Sequence, residues 1–483
     1  MKEKWLLKAL REAAGDHDPY AYSSLVEEAL KIAFSASQRD GVTVVVKENM
    51  YMASHLAELL MPLFEEGEVV AYLPEESLRA EAIAASYENR AERLYALYQL
   101  LTGHPKIVVV SPYGPIRHLP RRKTLQQFIL PLKAGKILER DDLIDWLNRA
   151  GYERVSHIEQ ALSYAVRGSI VDVFSVNYSR PLRIEFFDNE IDSLRFFDIN
   201  TQSTVERVDD ATICFAKDVF FSEEDREKIA GAIRNPAGAV ELDLEFIRED
   251  VYSPKLYAYL SYIESDHLLD YLPEARLYLS DTGRIEEHRK FLTDETVAYI
   301  QEMNEENELP LKFYQFADFD RECRKAHIVY GKPFSEAVPM ATEVDLPYAP
   351  LKELLKILSR EENSSIVLAL EANELALVSE TLIEQEIPYT MLEDRLREGI
   401  QLMLSSLPQG FSIPELGIRV FTSAELFDKK PRKGRFALQY AEALTLNSYD
   451  ELTAGDYVVH RQYGIGQYLG IEQREVNNIR RTI

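Results

Sequence analysis

Three short apolar runs, separated by segments of helical periodicity, constrain the fold of this chain most strongly. The runs "VTVVVK" (residues 42–47), "EVVAYL" (68–73) and "KIVVVSP" (106–112) are rich in β-branched residues, as the buried strands of parallel sheets are. The segments "NMYMASHLAELLMPLF" and "SYENRAERLYALYQLLTG" between them carry apolar residues at helical spacing. Strands that alternate with helices predict a parallel sheet covered by helices on both faces.

The pattern changes near residue 118. The helical segment "RDDLIDWLNRAG", which Gly151 closes, is followed by short strand-like runs in quick succession. These runs are "SYAVRG", "IVDVFSV", "PLRIEFF", "DSLRFFD" and "VERVDDATICFA". Strands this short and this closely spaced predict a compact α+β module with a mostly antiparallel sheet.

The rest of the chain divides into three parts. Residues 214–343 are helical and acidic, and a small α/β unit begins near residue 344. A run with five basic residues among positions 429–435 follows, and it fits either a solvated linker or a contact with nucleic acid or a partner. The last segment, "GDYVVHRQYGIGQYLGI", has the pattern of a strand, a glycine turn and a second strand.

Length and charge limit the class of protein. A chain of 483 residues is too long for one core, so the sequence predicts an α/β protein of about three or four domains. Acidic residues number 81 and basic residues 55, and the net charge of −26 opposes nonspecific binding to phosphate backbones. No apolar run reaches the length of about 18 residues that a membrane-spanning helix needs, so no membrane partner is expected.

Two further features indicate where the chain works. The first residues, "MKEKWLLKALREAAGDHD", place Trp5, Leu6 and Leu10 at helical spacing among basic residues, which predicts an amphipathic helix rather than a signal peptide. The two cysteines, Cys214 and Cys323, provide no disulfide framework and no metal-ligand spacing. We therefore expect a cytoplasmic location.

The motifs of nucleotide and metal chemistry are missing from the sequence. Two Gly-Lys pairs, at 135–136 and 331–332, lack the Ser or Thr that follows the lysine in a phosphate-binding loop. Before the first predicted strand, Glu27 and Glu28 occupy positions where a phosphate would need hydrogen-bond donors. The nine histidines are scattered and form no ligand cluster. We expect no catalytic residues, no metal and no cofactor in this chain.

The stretch "RPLRIEFFDNE" (180–190) raises a question about its outward face. Strand periodicity places Leu182, Ile184 and Phe186 on one face and Arg183, Glu185 and Phe187 on the other. The first set predicts a core face. An aromatic side chain beside an arginine on the second face is either an isolated exposed residue or an interface anchor. Past the Asp188–Asn189 turn, Ile191 has the opposite parity to Leu194, which predicts a bulge.

Longer strings of the sequence show a family resemblance. "RGSIVDVFSVNYSRPLRIEFFDNEIDSLRFFDINTQST" resembles the damage-recognition module shared by the bacterial excinuclease B subunit and the transcription-repair coupling factors. "GDYVVHRQYGIGQYLGI" is similar to the opening of the RNA-polymerase-interacting domain of the coupling factors, which excinuclease B lacks. "VFTSAELF" before the basic run is also like the coupling factors, so that family is the better match.

The resemblance implies an architecture. Residues 1–117 and 214–343 would form one degenerate helicase-like domain, with the α+β module (118–213) inserted in it. A small α/β domain (344–428), a basic linker (429–450) and the incomplete RNA-polymerase-interacting domain (451–483), the start of a small β-barrel, would follow. The family's motor, which binds ATP and magnesium and moves on DNA, lies further along the chain and is absent from this sequence.

The resemblance also implies a site and partners. In this family the inserted module binds the excinuclease A subunit, and the contacting residues fall on Arg167, Arg183 and Phe187 here. Ser169 stands where the family has a second glycine, and "FSV" replaces the usual Phe-Pro, so the local geometry of the contact differs. RNA polymerase would be bound through the C-terminal segment, DNA only through the missing motor, and a monomer is expected.

The function implied is recruitment of nucleotide-excision repair to RNA polymerase stalled at DNA damage. The alternative is an excinuclease-B-like, ATP-dependent DNA repair enzyme. From strand parity we expect Arg183→Ala and Phe187→Ala to weaken partner binding while leaving thermal stability nearly unchanged. We also expect residues 451–483 to supply about one hairpin and to be mobile or irregular after it, since "QREVNNIRRTI" stops without barrel-closing strands.

Overall fold

The structure, a computed structural model, describes residues 1, 3–15, 17–76, 87–305, 317–361 and 363–427, and the backbone of four short strands between residues 457 and 482. The chain forms two compact units, Met1–Arg432 and Lys433–Ile483. It is a mixed α/β protein with several parallel and mixed sheets, as the sequence predicts. In its described part, no helix is both long enough and apolar enough to cross a membrane.

The helices of the described residues all lie in the first unit. They are α1 (Lys4–Ala14), α2 (Leu25–Ser37), α3 (Met50–Leu60), α4 (Tyr87–Thr102), α5 (Arg122–Gln127), α6 (Arg140–Ala150), α7 (Glu223–Ala232), α8 (Ala239–Glu249), α9 (Leu268–Tyr271), α10 (Thr282–Glu305), α11 (Phe319–Cys323), α12 (Leu351–Ser359), α13 (Ala372–Glu384) and α14 (Ser423–Phe427). Short 3₁₀ helices occur at Met61–Leu63, Gly114–Ile116, Pro254–Tyr262 and Pro414–Leu416.

The strands build one parallel, one mostly antiparallel and one mixed sheet, with several two-stranded pairs. They are β1 (Ala21–Tyr22), β2 (Thr43–Val46), β3 (Val69–Tyr72), β4 (Ile107–Val110), β5 (Ile129–Lys133), β6 (Glu153–Arg154), β7 (Ser163–Arg167), β8 (Ile170–Val173), β9 (Leu182–Phe187), β10 (Glu190–Phe197), β11 (Thr204–Val208), β12 (Asp210–Cys214), β13 (Arg276–Leu279), β14 (His327–Tyr330), β15 (Lys332–Pro333), β16 (Thr342–Glu343), β17 (Ser365–Leu370), β18 (Tyr389–Met391), β19 (Gly399–Leu404), β20 (Phe411–Ile413), β21 (Ile418–Thr422), β22 (Tyr457–His460), β23 (Gly464–Gln467), β24 (Gln473–Val476) and β25 (Ile479–Thr482).

The parallel sheet has the strand order β14-β13-β2-β4-β3, and every pair in it is parallel. The three β-branched runs form its strands β2, β3 and β4, which confirms that prediction. Strand β13, at residues 276–279, pairs directly with β2, so chain segments on both sides of residues 118–213 share this sheet. Val45 and Val109 are fully buried in its centre, as strands covered on both faces require.

Helix α1 is amphipathic, and that prediction is confirmed. It buries Trp5, Leu6, Ala9, Leu10 and Ala13, while Lys4 and Lys8 lie on its other side. These apolar residues belong to a core that also contains side chains of the parallel sheet and of the small unit after residue 344. Helix α1 therefore packs against both the parallel sheet and the small unit after residue 344.

The module between residues 129 and 214 contains a six-stranded sheet with the order β11-β10-β9-β8-β7-β6. All its pairs are antiparallel except β6 with β7, which confirms the predicted mostly antiparallel sheet. Helix α6 lies on one face, where Tyr164 Oη donates to Asn148 Oδ1 at 2.7 Å. Gly151 ends α6 with a φ of 94°, a conformation that favours glycine.

One predicted strand of this module divides in two. The run "VERVDDATICFA" contributes β11 to the six-stranded sheet, but β12 leaves it and pairs with β5 in a separate two-stranded sheet. The division lies at Asp209, whose carbonyl accepts from Ala134 N at 2.8 Å. After that point Ala211, Ile213 and Cys214 are buried, so the second half follows a different core.

The two chain crossings between this module and the parallel-sheet domain meet at a buried ion cluster. Asp218 Oδ2 accepts from Arg93 Nε at 2.8 Å and lies 3.4 Å from Arg117 Nη2. All three side chains are almost fully buried. The two arginines hold the pKa of the Asp218 carboxyl below its usual value although burial opposes this. The cluster fixes the entry and exit of the module against α4.

The small unit after residue 344 has a six-stranded mixed sheet with the order β16-β20-β21-β17-β19-β18. Helices α12 and α13 and the strands of this sheet confirm the small α/β unit that the sequence predicts near residue 344. Strand β19, within "REGIQLML", was not predicted, although it pairs with β17 over six residues. The basic run at 429–435 lies outside the described residues.

The second unit contains two antiparallel strand pairs. Strands β22 and β23 pair from Tyr457 with Gln467 to His460 with Gly464, which confirms the predicted hairpin. The expectation of an irregular segment after it is wrong for "QREVNNIRRTI", because β24 and β25 form a second antiparallel pair there. The run "QREV" shows no clear alternation of apolar and polar residues, so it gave no strand signal. It forms a strand through its pairing with "IRRT".

Candidate partner-binding surface

Strand β9 carries the outward face that the sequence singles out. Along β9 the side chains alternate between buried and more exposed, with Leu182, Ile184 and Phe186 buried. On the other face Phe187 is 77% exposed, the largest exposure of an apolar side chain on this sheet. The strand parity read from the sequence is therefore correct, and Phe187 adds nothing to the core.

The hairpin between β9 and β10 holds this face in a fixed register. Asp188, in the turn, has a φ of 56°, and Glu190 pairs with Phe187. The register shifts between Ile191 and Ser193, which confirms the predicted bulge. The bulge returns Ile191 and Leu194 to the core face, although they are three residues apart.

Arg183 is tied to a buried carboxylate on the neighbouring strand β8. Its Nε donates to Asp172 Oδ1 at 2.7 Å and its Nη2 to Asp172 Oδ2 at 2.8 Å, a bidentate pair. Nη2 also lies 3.2 Å from Gln202 Oε1, and the guanidinium stacks 4.3 Å from the centre of the Phe197 ring. The hydrogen bonds to Asp172 raise the pKa of the Arg183 guanidinium.

This arrangement corrects part of the expectation for Arg183. Its fork is not open to a partner's carboxylate, because Asp172, only 2% exposed, already occupies it. Within the described chain Nη1 makes no hydrogen bond, so this atom alone remains for a partner. The expectation that Arg183→Ala leaves stability nearly unchanged is inconsistent with this geometry, because the variant would bury an unpaired carboxylate.

Arg167 lies at the end of β7 and is exposed. Its Nη2 donates to the carbonyl of Ser156 at 3.3 Å. Gly168 follows with a φ of 60°, and Arg140 Nη1 donates to its carbonyl at 2.7 Å. The next residue, Ser169, accepts from Phe186 N at 2.9 Å through its carbonyl, so the turn continues the sheet without a second glycine.

The sheet register brings the three predicted residues onto one face. Arg167 pairs with Ile170, and Ile170 pairs with Glu185, which stands between Arg183 and Phe187 on β9. Residues paired in a sheet point to the same side, and neighbouring strands are about 4.8 Å apart. Arg167 therefore lies about 10 Å across the outward face from β9. The three contact residues that the resemblance implies therefore lie on one surface. Their role in binding stays a prediction.

Sequence reasoning missed two further arginines on this face. Arg195 of β10 pairs with Arg183 on one side and with Arg207 of β11 on the other, which gives a row of three arginines across three strands. Like charges opposite one another are destabilising, and Glu185 offsets this by accepting from Arg195 Nη2. The sequence shows an arginine in each of these three strands. Only the register shows that the three arginines lie side by side.

One group outside this face could hold a metal among the described residues. It consists of His267, Asp270 and Glu322, whose ligand atoms lie within 4.8 Å of one another. Lys325 Nζ, however, lies 2.8 Å from Asp270 Oδ1 and 2.7 Å from Glu322 Oε2. The backbone N–H of His267 donates to Asp270 Oδ2 at 2.9 Å, and burial lowers the pKa of this histidine. The ammonium group of Lys325 thus already supplies the positive charge that a metal ion would bring to Asp270 and Glu322.

Comparison with known families places the outward face within a defined class of module. Residues 130–218 match the family described as the UvrB interaction domain, which covers β5 through β12 and all three predicted contact residues. Residues 452–483 match the family described as the CarD-like/TRCF RID domain. The chain therefore combines a UvrB-type interaction module with a C-terminal segment of the CarD type.

The curated proteins that the chain resembles share one name. The chain is 28% identical to the transcription-repair-coupling factor of Bacillus subtilis over 92% of its length, and 26% identical to that of Staphylococcus aureus over 93%. It spans 41% and 42% of the lengths of these two relatives. The chain is similar to transcription-repair-coupling factors over more than nine-tenths of its own length, and the resemblance read from its motifs is confirmed.

Proposed function

We propose that this chain recruits the excinuclease A subunit through the outward face of strands β7, β8 and β9. The observation that carries the proposal is Phe187, which is 77% exposed on a strand whose alternate residues are fully packed. An aromatic side chain exposed on a rigid strand gains buried area when a partner covers it and loses little conformational entropy. Its position within the matched UvrB interaction domain supports the same reading.

The arginines of this face have different roles in the proposed contact. Arg167, exposed at the end of β7, can hold a carboxylate of the partner through the donors that Ser156 leaves open. Arg183 offers Nη1 and holds Asp172, so it both contacts the partner and fixes the surface. The chain is acidic overall, with a net charge of −26, so a local arginine cluster favours a protein contact over a DNA contact.

We further propose the domain arrangement implied by the family. Residues 1–117 and 214–343 would form a degenerate helicase-like domain, and the direct pairing of β13 with β2 supports this. The segment at 451–483 would bind RNA polymerase, supported by its match to the CarD-like/TRCF RID domain. Together the two contacts would bring excision repair to stalled polymerase in the cytoplasm, with the motor supplied by another part of the family's longer protein.

We propose that the parallel-sheet domain of this chain does not use ATP. The carboxyl end of β2, where nucleotide-binding α/β domains hold a phosphate, contains a buried internal network. Lys47 Nζ lies 2.7 Å from Glu28 Oε2 and 2.7 Å from Ser280 Oγ, and all three residues are almost fully buried. Burial raises the pKa of Glu28, and the attraction of Lys47 opposes this. The lysine is committed to internal partners.

The start of helix α3, which follows β2, is also occupied. Met52 N donates to Asn49 Oδ1 at 2.9 Å, and Met50 N donates to Glu76 Oε1 at 3.1 Å. The Glu76 carboxylate is held by His288 of α10, whose Nε2 lies 3.2 Å away. A carboxylate of the chain therefore sits where the helix N-terminus would hold a phosphate. This supports the recruitment function over the excinuclease-B-like alternative.

The recruitment proposal is tested by calorimetric titration of the full chain with purified excinuclease A subunit. The proposal predicts saturable binding by the wild-type chain and weaker binding by Phe187→Ala with an unchanged melting curve. No binding by the wild-type chain would overturn it. A Phe187→Ala variant that melts like a core variant and binds normally would show that Phe187 serves the fold instead.

A further inference from the structure

A second large apolar side chain stands exposed beside Phe187. Ile137, in the segment between β5 and α6, is 73% exposed, and Phe187 is 77% exposed. Both lie within residues 130–218, the range matched to the UvrB interaction domain. Sequence reasoning gave no role to Ile137, which follows the Gly-Lys pair at 135–136.

The backbone places these two side chains on the same face. Ile137 forms an isolated antiparallel bridge with Glu190, and Glu190 pairs with Phe187 across the hairpin. Paired residues point to one side of a sheet, so Ile137, Glu190 and Phe187 form a row. With neighbouring strands about 4.8 Å apart, the two apolar side chains stand about 10 Å from each other.

Hydrogen bonds make this row rigid. Gly135 N donates to the carbonyl of Ile191 at 2.8 Å, and Ile191 N donates to the carbonyl of Lys136 at 3.0 Å. Leu138 N donates to the carbonyl of Asn189 at 2.9 Å. The segment is thus held to the hairpin on both sides of Ile137. A partner that covers the row pays little entropy to order it.

The charge between the two apolar side chains specifies the partner further. Glu190 is exposed, and within the described chain its carboxylate makes no ion pair. A partner surface that covers Ile137 and Phe187 must therefore place a positively charged or hydrogen-bond-donating group opposite Glu190, because a buried unpaired carboxylate is costly. The surface fits a partner with two apolar depressions that flank a basic side chain.

We propose that Ile137 is a second apolar anchor of the contact with the excinuclease A subunit, and that Glu190 selects a basic group on that subunit. This inference rests on the proposed function, since it assigns Ile137 to the same partner as Phe187. The continuity of the Ile137–Glu190–Phe187 row supports one partner covering both side chains. Exposed apolar residues on one rigid face, near enough for one partner to cover, are typical of an interface centre.

The test compares four variants of the full chain in calorimetric titrations with the excinuclease A subunit. They are Ile137→Ala, Glu190→Lys, Phe187→Ala and Val205→Ala. Ile137→Ala is expected to raise Kd about 5- to 50-fold, and Glu190→Lys at least as much. Val205→Ala is the matched control. Val205 is an exposed apolar residue, 47% exposed, on β11 of the same sheet, and its neighbours pair with Phe196 and Phe197 at the far end of β10. Its Kd is expected to change by less than about twofold.

The outcomes separate this inference from the proposed function. If Phe187→Ala weakens binding while Ile137→Ala and Glu190→Lys bind like the wild type, the inference is wrong and the recruitment function stands. If the wild-type chain does not bind, both fail. An Ile137→Ala variant with a clearly lower melting temperature would show that Ile137 packs within the chain, which also contradicts the inference.

Discussion

Replacing Arg183 with alanine is expected to destabilise the module between residues 129 and 214 as well as to weaken its proposed contact with the excinuclease A subunit. The change removes both hydrogen-bond donors that Arg183 supplies, at 2.7 and 2.8 Å, to the Asp172 carboxylate, which is 2% exposed. A hydrogen bond to a charged group contributes about 1.5–3 kcal/mol, and removal of one member of a fully buried pair costs about 3–5 kcal/mol. The variant also loses the stacking of Arg183 on Phe197.

The expected loss is somewhat smaller than for a fully buried pair. The side chain of Arg183 is 16% exposed, so water can enter the space that alanine leaves and solvate Asp172 in part. We expect Arg183→Ala to lower the free energy of unfolding of the module by about 2–4 kcal/mol. Adding Asp172→Ala should recover a large part of this loss, because the unpaired charge is then gone.

Tryptophan fluorescence offers a measurement with a probe inside the module. The chain has two tryptophans, and Trp146 of α6 lies 6.3 Å from Phe128 between ring centres. In a Trp5→Phe background, urea unfolding followed by Trp146 emission reports on the surroundings of helix α6 in this module. An Arg183→Ala variant within about 0.5 kcal/mol of its parent would refute the reasoning, because it would mean that Asp172 does not depend on Arg183.

Two other predictions concern the parallel-sheet domain. The hydrogen bond that His288 donates to the Glu76 carboxylate raises the pKa of His288. The stability that this pair contributes is therefore fully present below the unfolded pKa of about 6.5 and is lost as the pH rises through the folded pKa. His288→Gln should therefore lower the melting temperature more at about pH 5.5 than at about pH 8.5, and an equal loss at both would contradict this. The full chain should show no saturable binding of a fluorescent ATP analogue up to about 1 mM, and saturable, magnesium-dependent binding would favour the excinuclease-B-like alternative.

Local patterns in the sequence predicted much of the fold. The valine-rich runs of β2 and β4 are buried on both faces, so their composition alone distinguishes them from surface strands. The alternation along β9 and the parity change at Ile191 predicted a core face and a bulge, because strand periodicity is a local property. Phe187 was likewise placed on the outward face from its position alone.

Pairings between distant residues were beyond local reasoning. Strand parity gave the direction of Arg183 but not its partner, since Asp172 becomes its neighbour only through the β8–β9 register. Ile137 lies in no regular strand, so the sequence around it gives no strand pattern. Only an isolated bridge to Glu190 places it beside the hairpin. The second C-terminal hairpin was missed for the same reason, since its two polar strands acquire order only from each other.

The most direct test of the central claim is the affinity of Phe187→Ala for the excinuclease A subunit, measured by calorimetric titration beside Val205→Ala and the wild-type chain. Phe187→Ala should lose about 1–3 kcal/mol of binding free energy, a rise in Kd of roughly 5- to 150-fold, with a melting temperature equal to that of the wild type. Val205→Ala should bind like the wild type. Equal affinities for Phe187→Ala and the wild-type chain would contradict the claim that the outward face of β9 binds this partner.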